Sequence, residues 1–160
     1  MEIVLYEPEI PGNTGNIARL CAANHMTLHL IKPLGFSIDD KHVKRAGLDY
    51  WNLVDVKVYE NIEALYAAYP NRRYFYATTK AQHTHSDVTY EIGDMIVFGP
   101  ESRGLPEALL AGKEENCIRI PMVEEARSLN LSNAVAIIAY EALRQLDYPD
   151  LKVMGDWITN

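Results

Sequence analysis

Cysteine is scarce in this chain: Cys21 and Cys117 are the only two. Neither sits in a CxxC or Cys/His metal-ligand spacing, so a disulfide framework and a zinc module are both excluded, and a reduced, cytoplasmic setting fits. Long apolar runs are missing as well. The longest, residues 134–140, falls far short of the roughly 20 residues a membrane span needs. Met1-Glu2-Ile3-Val4 carries no basic n-region, so the N-terminus does not read as a signal peptide. Positive charge is in deficit: 15 Lys and Arg stand against 22 Asp and Glu, a net charge of −7. That argues against a polyanion binder working by bulk charge, while leaving room for a local basic patch. The common nucleotide fingerprints are also absent. Gly12 and Gly15 are the only glycines in the first loop, so there is no GxGxxG. Gly99 and Gly104 have the outer spacing of a phosphate loop, but Leu105 and Pro106 stand where Lys and Ser/Thr are required. A Walker-type ATPase or a kinase is therefore excluded. No GxSxG elbow and no Ser/His/Asp set are present.

What remains is an ordinary globular composition, 48% hydrophobic and 23% charged over 160 residues. That length suits one domain, residues 1–160, large enough to bury a core without staples. Strand-like and helix-like stretches alternate. Strands are predicted over residues 3–6, 28–31, 53–59, 74–77, 95–98 and 117–120, from short apolar runs ended by Pro or Gly. Helices are predicted over residues 14–24 capped by Asn13, from Ser37 or Asp39 to before Gly47, over 62–69 capped by Asn61, from Pro106 to near Gly112, and from Asn130 or Ser132 to near Leu146. The last ten residues read as a loosely attached tail. Strict alternation implies an α/β fold with a mostly parallel sheet and helices on both faces. Ligands of such sheets bind outside the carboxyl ends of the strands, so the loops after strands carry the functional information.

Three such loops stand out. The first holds Pro11, Gly12, Asn13, Gly15 and Arg19; its glycines allow tight geometry, and a helix start offers amides to a polar or anionic group. On its own, Arg19 also fits a snorkelling surface arginine. The second, residues 98–106, packs two Gly and two Pro into Phe-Gly-Pro-Glu-Ser-Arg-Gly-Leu-Pro, a rigid strand-to-helix turn around Glu101. The third runs Ile120-Pro121-Met122, then Arg127-Ser128-Leu129-Asn130-Leu131-Ser132-Asn133. A helix cap needs one small polar residue; four suggest a ligand. His83, His85 and Asp87 form an HxHxD stretch, but with no further ligand cluster it reads as a polar surface loop, not a metal site. His25, His29 and His42 are read the same way.

Taken together, the three loops resemble the SPOUT superfamily, and within it the TrmH-like RNA 2′-O-methyltransferases. Asn13, Gly15 and Arg19 match the family's N-x-G-x-x-x-R motif. Phe98, Gly99, Glu101 and Gly104 match F-G-x-E-x-x-G. Ile120, Pro121 and Met122, then Ser128, Asn130 and Ser132, match I-P-M and S-x-N-x-S. Order and spacing agree, and the match runs essentially end to end. The opening residues 3–11 and the stretch Arg45-Ala46-Gly47-Leu48-Asp49-Tyr50 look like the minimal TrmL (YibK) branch, which methylates the ribose of the wobble nucleotide in certain leucine tRNAs.

The resemblance implies a C-terminal trefoil knot, a homodimer, and S-adenosylmethionine as cofactor, with tRNA bound through its anticodon region. Carried over, cofactor contacts fall on Ala77, Gly99, Ile120, Met122, Ser128 and Leu131, and the catalytic region on Asn13, Arg19, Glu101, Ser128 and Asn130. Methyl transfer from a sulfonium to an alcohol is an in-line displacement that needs no metal. Arg19 falls nearest to proton removal, yet a guanidinium is a poor base, so a clamp on a phosphate or developing alkoxide is the favoured role. Two apolar-rich helices, around residues 17–23 and 134–143, have more apolar circumference than one buried stripe requires, which also suggests a dimer. Lys41, His42, Lys44 and Arg45 on one helix, with Arg72, Arg73, Lys80, Arg103 and Arg127 near other loops, offer a basic strip for phosphates. Two alternatives have different consequences: the same chemistry on ribosomal RNA, whose family members usually carry an added N-terminal RNA-binding domain, or a non-catalytic nucleotide-binding module, against which the intact Arg19, Glu101 and Asn130 set weighs.

Overall fold

A computed structural model of the chain describes residues 1–46 and 51–158, apart from the side chains of Lys44 and Ala46. Residues 47–50 of the stretch compared with the wobble-nucleotide branch lie outside the described residues. In chain order the elements are β1 (Glu2–Tyr6), α1 (Pro11–Ala23), β2 (Leu28–Ile31), α2 (Lys41–Ala46), β3 (Val56–Tyr59), α3 (Ile62–Ala68), β4 (Tyr74–Ala77), β5 (His83–Thr84), β6 (Met95–Phe98), α4 (Glu107–Leu110), β7 (Cys117–Arg119) and α5 (Leu131–Gln145). The strands form one sheet in the order β3-β2-β1-β6-β4-β7-β5, and every pair is parallel.

Side-chain alternation divides the core between two faces. On one, Ile3, Leu5, Leu28, Leu30, Ile96 and Ile118 meet Ile17, Ala18 and Cys21 of α1 and Val135, Ile138 and Ala139 of α5. On the other, Val4, Ile31, Met95 and Val97 meet Ile62 and Leu65 of α3 and Leu110 of α4. Each large side chain buried this way contributes about 1.5–3 kcal/mol before entropy is counted. Strands flanked on both faces need continuous apolar runs, which is why β2 and β6 are buried at every position.

Several boundaries differ from the sequence expectation. Helix α1 begins at Pro11, not Thr14, with Ile10 at the cap and no side-chain cap. Proline is preorganised for a first turn, and Asn13 is spent elsewhere. α2 begins at Lys41, later than Ser37 or Asp39, because Ser37 Oγ holds the Asp39 N–H in a preceding turn and it is Asp40 Oδ1 that accepts the His42 N–H at the helix start. Residues 51–53 form a single 3₁₀ turn, so the third strand shortens to Val56–Tyr59, an edge strand exposed at its centre. β5 was not expected: part of the HxHxD stretch pairs with β7, and Asp87 closes the following turn by accepting from the Thr84 N–H at 2.9 Å. His29 is no surface histidine. It is fully buried in β2, with Nε2 on the Glu2 carboxylate and Nδ1 at 3.2 Å from the Tyr59 hydroxyl. As expected, Asn61 caps α3 through the Ala64 N–H at 2.9 Å. The tail is exposed from residue 152 to 158.

Helix α5 is tied to the loop before β6. Gln145 donates to the Val88 carbonyl and accepts from the Tyr90 N–H, and it also donates to Glu141, which Arg144 grips with two hydrogen bonds. Hydrogen bonds from Arg144 and then Gln145 hold the Glu141 carboxyl down at about 2. A depressed folded-state value contributes stability above the unfolded value, about 4.3, and loses it as pH falls towards 2. Glu141→Gln is therefore expected to destabilise the chain at pH 6 and to differ progressively less from wild type between pH 4.5 and 2.5 in urea unfolding. A constant difference across that range would show that the carboxylate has no part in it.

Candidate active site

The loops after β1, β4, β6 and β7 all leave the sheet at one end, and they enclose a cavity of about 560 Å³. Its size is in the usual range for a small-molecule site. Phe98, Ile118 and Ile138 give it apolar walls, while Thr78, Ser128 and Asn130 bring polar groups to it. The residues expected to touch cofactor, Ala77, Gly99, Ile120, Met122, Ser128 and Leu131, all line this cavity. So do Asn13, Glu101 and Asn130 of the expected catalytic set. Arg19 does not. It lies on an exposed face of α1, six residues beyond Asn13, and so about 240° around the helix from it at 100° per residue.

A relay of amides and carboxylates holds the walls together. The Glu101 carboxylate accepts from the Glu9 N–H at 2.8 Å, the Ile10 N–H at 3.1 Å and Asn13 Nδ2 at 3.4 Å. Asn13 Oδ1 in turn accepts from Asn130 Nδ2 at 3.2 Å. Asn130 Oδ1 accepts from the Asn133 N–H and from Ser132 Oγ, which caps α5. Asn13 therefore uses both ends of its amide to join two loops, and this is why it does not cap α1. Among the four small polar residues of the third loop, Asn130 serves as cap and link together, while Ser128 lines the cavity.

The sequence reading missed the return half of this exchange. Glu9, carried by the loop after β1, accepts from the Ser102 N–H at 3.1 Å and Ser102 Oγ at 2.6 Å. Those two bonds hold its carboxyl below the usual range. Arg103 pairs with Glu7 across the same seam. The sequence signal was the Glu7-Pro8-Glu9-Ile10-Pro11 stretch: two carboxylates on a proline-stiffened segment. Thr78 was missed too, although its N–H, donating to the Ile118 carbonyl at 3.0 Å, extends the β4–β7 pairing to the cavity mouth.

The second loop turns tightly. A Cβ on Gly99 would lie 2.3 Å from the Gly104 carbonyl carbon and from the Leu105 nitrogen. Gly104 itself holds φ at +68°, a conformation that glycine adopts without strain.

Residues 1–140 match the model of the SpoU rRNA Methylase family. The tRNA (cytidine(34)-2′-O)-methyltransferase of Escherichia coli K12 is 53% identical over 150 residues, covering 93% of this chain and 96% of that one. A solved structure concerned with 2-OH methylation of C/U34 on tRNA has 46% identity and a TM-score of 0.87, covering 91% of this chain and 95% of that one. AviRb from Streptomyces viridochromogenes, solved in complex with AdoMet, shares the fold at 24% identity and a TM-score of 0.79, covering 92% of this chain and 60% of that one.

Gly99→Ala is expected to lower the unfolding free energy by about 3 kcal/mol, the upper end of overpacking costs, because its Cβ meets backbone that cannot swing aside. Gly12→Ala is the control, since nothing lies within 4 Å of a Cβ there and alanine favours a helix. Equal urea midpoints for the two variants would contradict this reading of the turn.

Proposed function

The chain belongs to the SpoU rRNA Methylase family, and from that premise we propose that it transfers a methyl group from S-adenosylmethionine to the 2′-hydroxyl of nucleotide 34 in tRNA. The substrate we propose is the cytidine or modified uridine at the wobble position of leucine tRNAs. The observation that carries the reading is the convergence of Asn13, Glu101 and Asn130, from three separate loops, into one hydrogen-bonded wall of one cavity. The whole chain then acts as one methyltransferase domain in the cytoplasm. No helix among the described residues is long and apolar enough to cross a membrane.

The cavity fits the cofactor on its own terms. Apolar walls suit an adenine ring and a thioether chain, and the backbone of the Gly99 turn and the Ile120–Met122 segment offers polar groups at close range. When bound, S-adenosylmethionine supplies a methyl group activated on a sulfonium. The chain's own part is to align the ribose hydroxyl with that methyl, and positioning of this kind is worth up to about 7–11 kcal/mol. Glu101 has its oxygens engaged by three donors, so it holds the wall in place, and Asn13 and Asn130 set the spacing of the loops. Arg19 clamps a phosphate or the developing alkoxide.

The proposal extends to a homodimer and to a trefoil knot in the C-terminal part. Packing of α1 on α5 within one chain accounts for much of the apolar surplus on both helices. Ile10, Ile137 and Tyr140 nonetheless stay 40–48% exposed, and a second copy covering them supports the dimer. Strand order supports the knot: β6 inserts between β1 and β4, β7 lies beyond β4, and α5 returns to the α1 face.

Total tRNA from a strain lacking this protein, incubated with labelled cofactor, is expected to gain label at nucleotide 34; label elsewhere or none refutes the substrate assignment. Arg19→Ala is expected to keep cofactor binding and lose at least about a hundredfold in turnover. For Arg19→Lys, weak activity with little new pH dependence supports the clamp, and activity climbing with pH supports a base instead. Light scattering at micromolar protein is expected to give twice the monomer mass, and a monomer mass there ends the dimer proposal.

A further inference from the structure

Four cationic residues line the cavity, Lys80, Arg103, Arg119 and Arg127, against a single carboxylate, Glu101. An acidic chain thus carries a positive excess of three at its site. The Glu101 charge is already met by backbone N–H groups. Two of the cations are engaged: Lys80 with Glu107 and Arg103 with Glu7. The other two are not. Neither Arg119 nor Arg127 makes a side-chain hydrogen bond or an ion pair with any described residue.

This sets them apart from Arg72, Arg73, Arg103 and Arg144, each of which holds a carboxylate. With 22 acidic residues in the chain, partners are plentiful, so two unmatched guanidiniums at one cavity are a local feature. Arg119 ends β7 and is half-buried. A charge partly withdrawn from water without a counter-ion is costly, and an anion entering the cavity removes that cost. Guanidinium suits an oxyanion in particular, because its planar fork meets two oxygens at once.

We propose that Arg119 and Arg127 bind an oxyanion of the ligand that fills this cavity. The inference rests on the methyltransferase reading above and deepens it. That reading offers two sources of one chemistry: the α-carboxylate of the cofactor's amino-acid end, or a phosphodiester beside the target ribose. The sulfonium is itself cationic, so both arginines must act away from it, at the far end of the cofactor or on the RNA side.

The test uses the full-length chain with S-adenosylhomocysteine, with 5′-methylthioadenosine, which lacks the amino-acid end, and with total tRNA over a range of KCl. Variants are Arg119→Gln, Arg127→Gln and the pair, with Arg127→Lys as the charge-keeping control. If the carboxylate is the ligand, the pair of substitutions weakens S-adenosylhomocysteine about tenfold or more and leaves 5′-methylthioadenosine unchanged. If the phosphodiester is the ligand, tRNA affinity falls and its logarithmic salt slope drops by about one for each arginine that had paired with a phosphate, while Arg127→Lys restores the slope. Arg127 is exposed on a loop, so its single variant carries the test even where Arg119→Gln fails to fold. Folded variants that bind both S-adenosylhomocysteine and tRNA within twofold of wild type overturn the inference alone. A wild-type chain that binds neither overturns the methyltransferase reading and this inference with it.

Discussion

Two carboxylates exchanged between loops set the geometry on which the cavity depends. Glu101, after β6, accepts the backbone N–H groups of Glu9 and Ile10, after β1. Glu9 gives its own carboxylate back to Ser102. Hydrogen bonds to a charged acceptor are shorter and stronger than neutral ones, and they are lost outright when a partner is removed. The exchange fixes where α1 begins, because the N–H groups just before Pro11 point at Glu101. It also fixes Asn13, and through Asn13 it reaches Asn130 and the start of α5. One seam thus registers three loops that are far apart in sequence.

The sheet explains why that seam lies where it does. All strand pairs are parallel, so the carboxyl ends of β1, β4, β6 and β7 share one edge of the molecule. The strand order of the sheet places β1, β6 and β4 side by side, so the loops that follow them become neighbours. The Gly99 turn then brings backbone against backbone, with no room for a side chain. Helices on the two faces supply the burial that keeps the edge rigid. Packed elements anchor the ends of the site loops, and the long segment between β7 and α5 is tied back to α1 through Asn130 and Asn13.

Elements buried on both faces were the legible ones. The strands at 28–31, 74–77 and 95–98 have the expected boundaries, because a doubly covered strand is a mostly apolar run, with the buried His29 the polar exception in β2. Asn61 was legible as a cap because the signal is local. β3 was overextended, since alternation at an edge continues into residues that a 3₁₀ turn claims. β5 was invisible: two residues pair with β7 through backbone alone, and no side-chain period marks them. Asn13 was legible as important but not in its role. A cap and a cross-loop link use the same amide, and only the distant Glu101 decides between them. The cavity set was legible through three spaced motifs, while the Glu9–Ser102 return bond and the unmatched Arg119 depend on tertiary proximity that no spacing encodes.

The titratable groups at the cavity narrow the chemistry further. Among the described residues its lining contains no histidine, cysteine, tyrosine or aspartate. Glu101 is committed to three donors, and Lys80 is held by Glu107. The remaining charged groups are Arg103, Arg119 and Arg127. The described wall thus offers none of the side chains that most often serve as a general base, in contrast to sites built around proton abstraction. An alcohol attacking an activated methyl loses its proton late, as the oxygen gains positive character, so a strong base is not required before the bond forms. Water at the open rim, beside Arg127 and Asn130, can then carry the proton away. The task left to the protein is alignment and charge placement, and the fold is organised for both: amide relays set distance, and arginines set sign. The clamp proposed for Arg19 fits the same division, because a fixed charge acting on substrate requires no place on the cavity wall of its own chain.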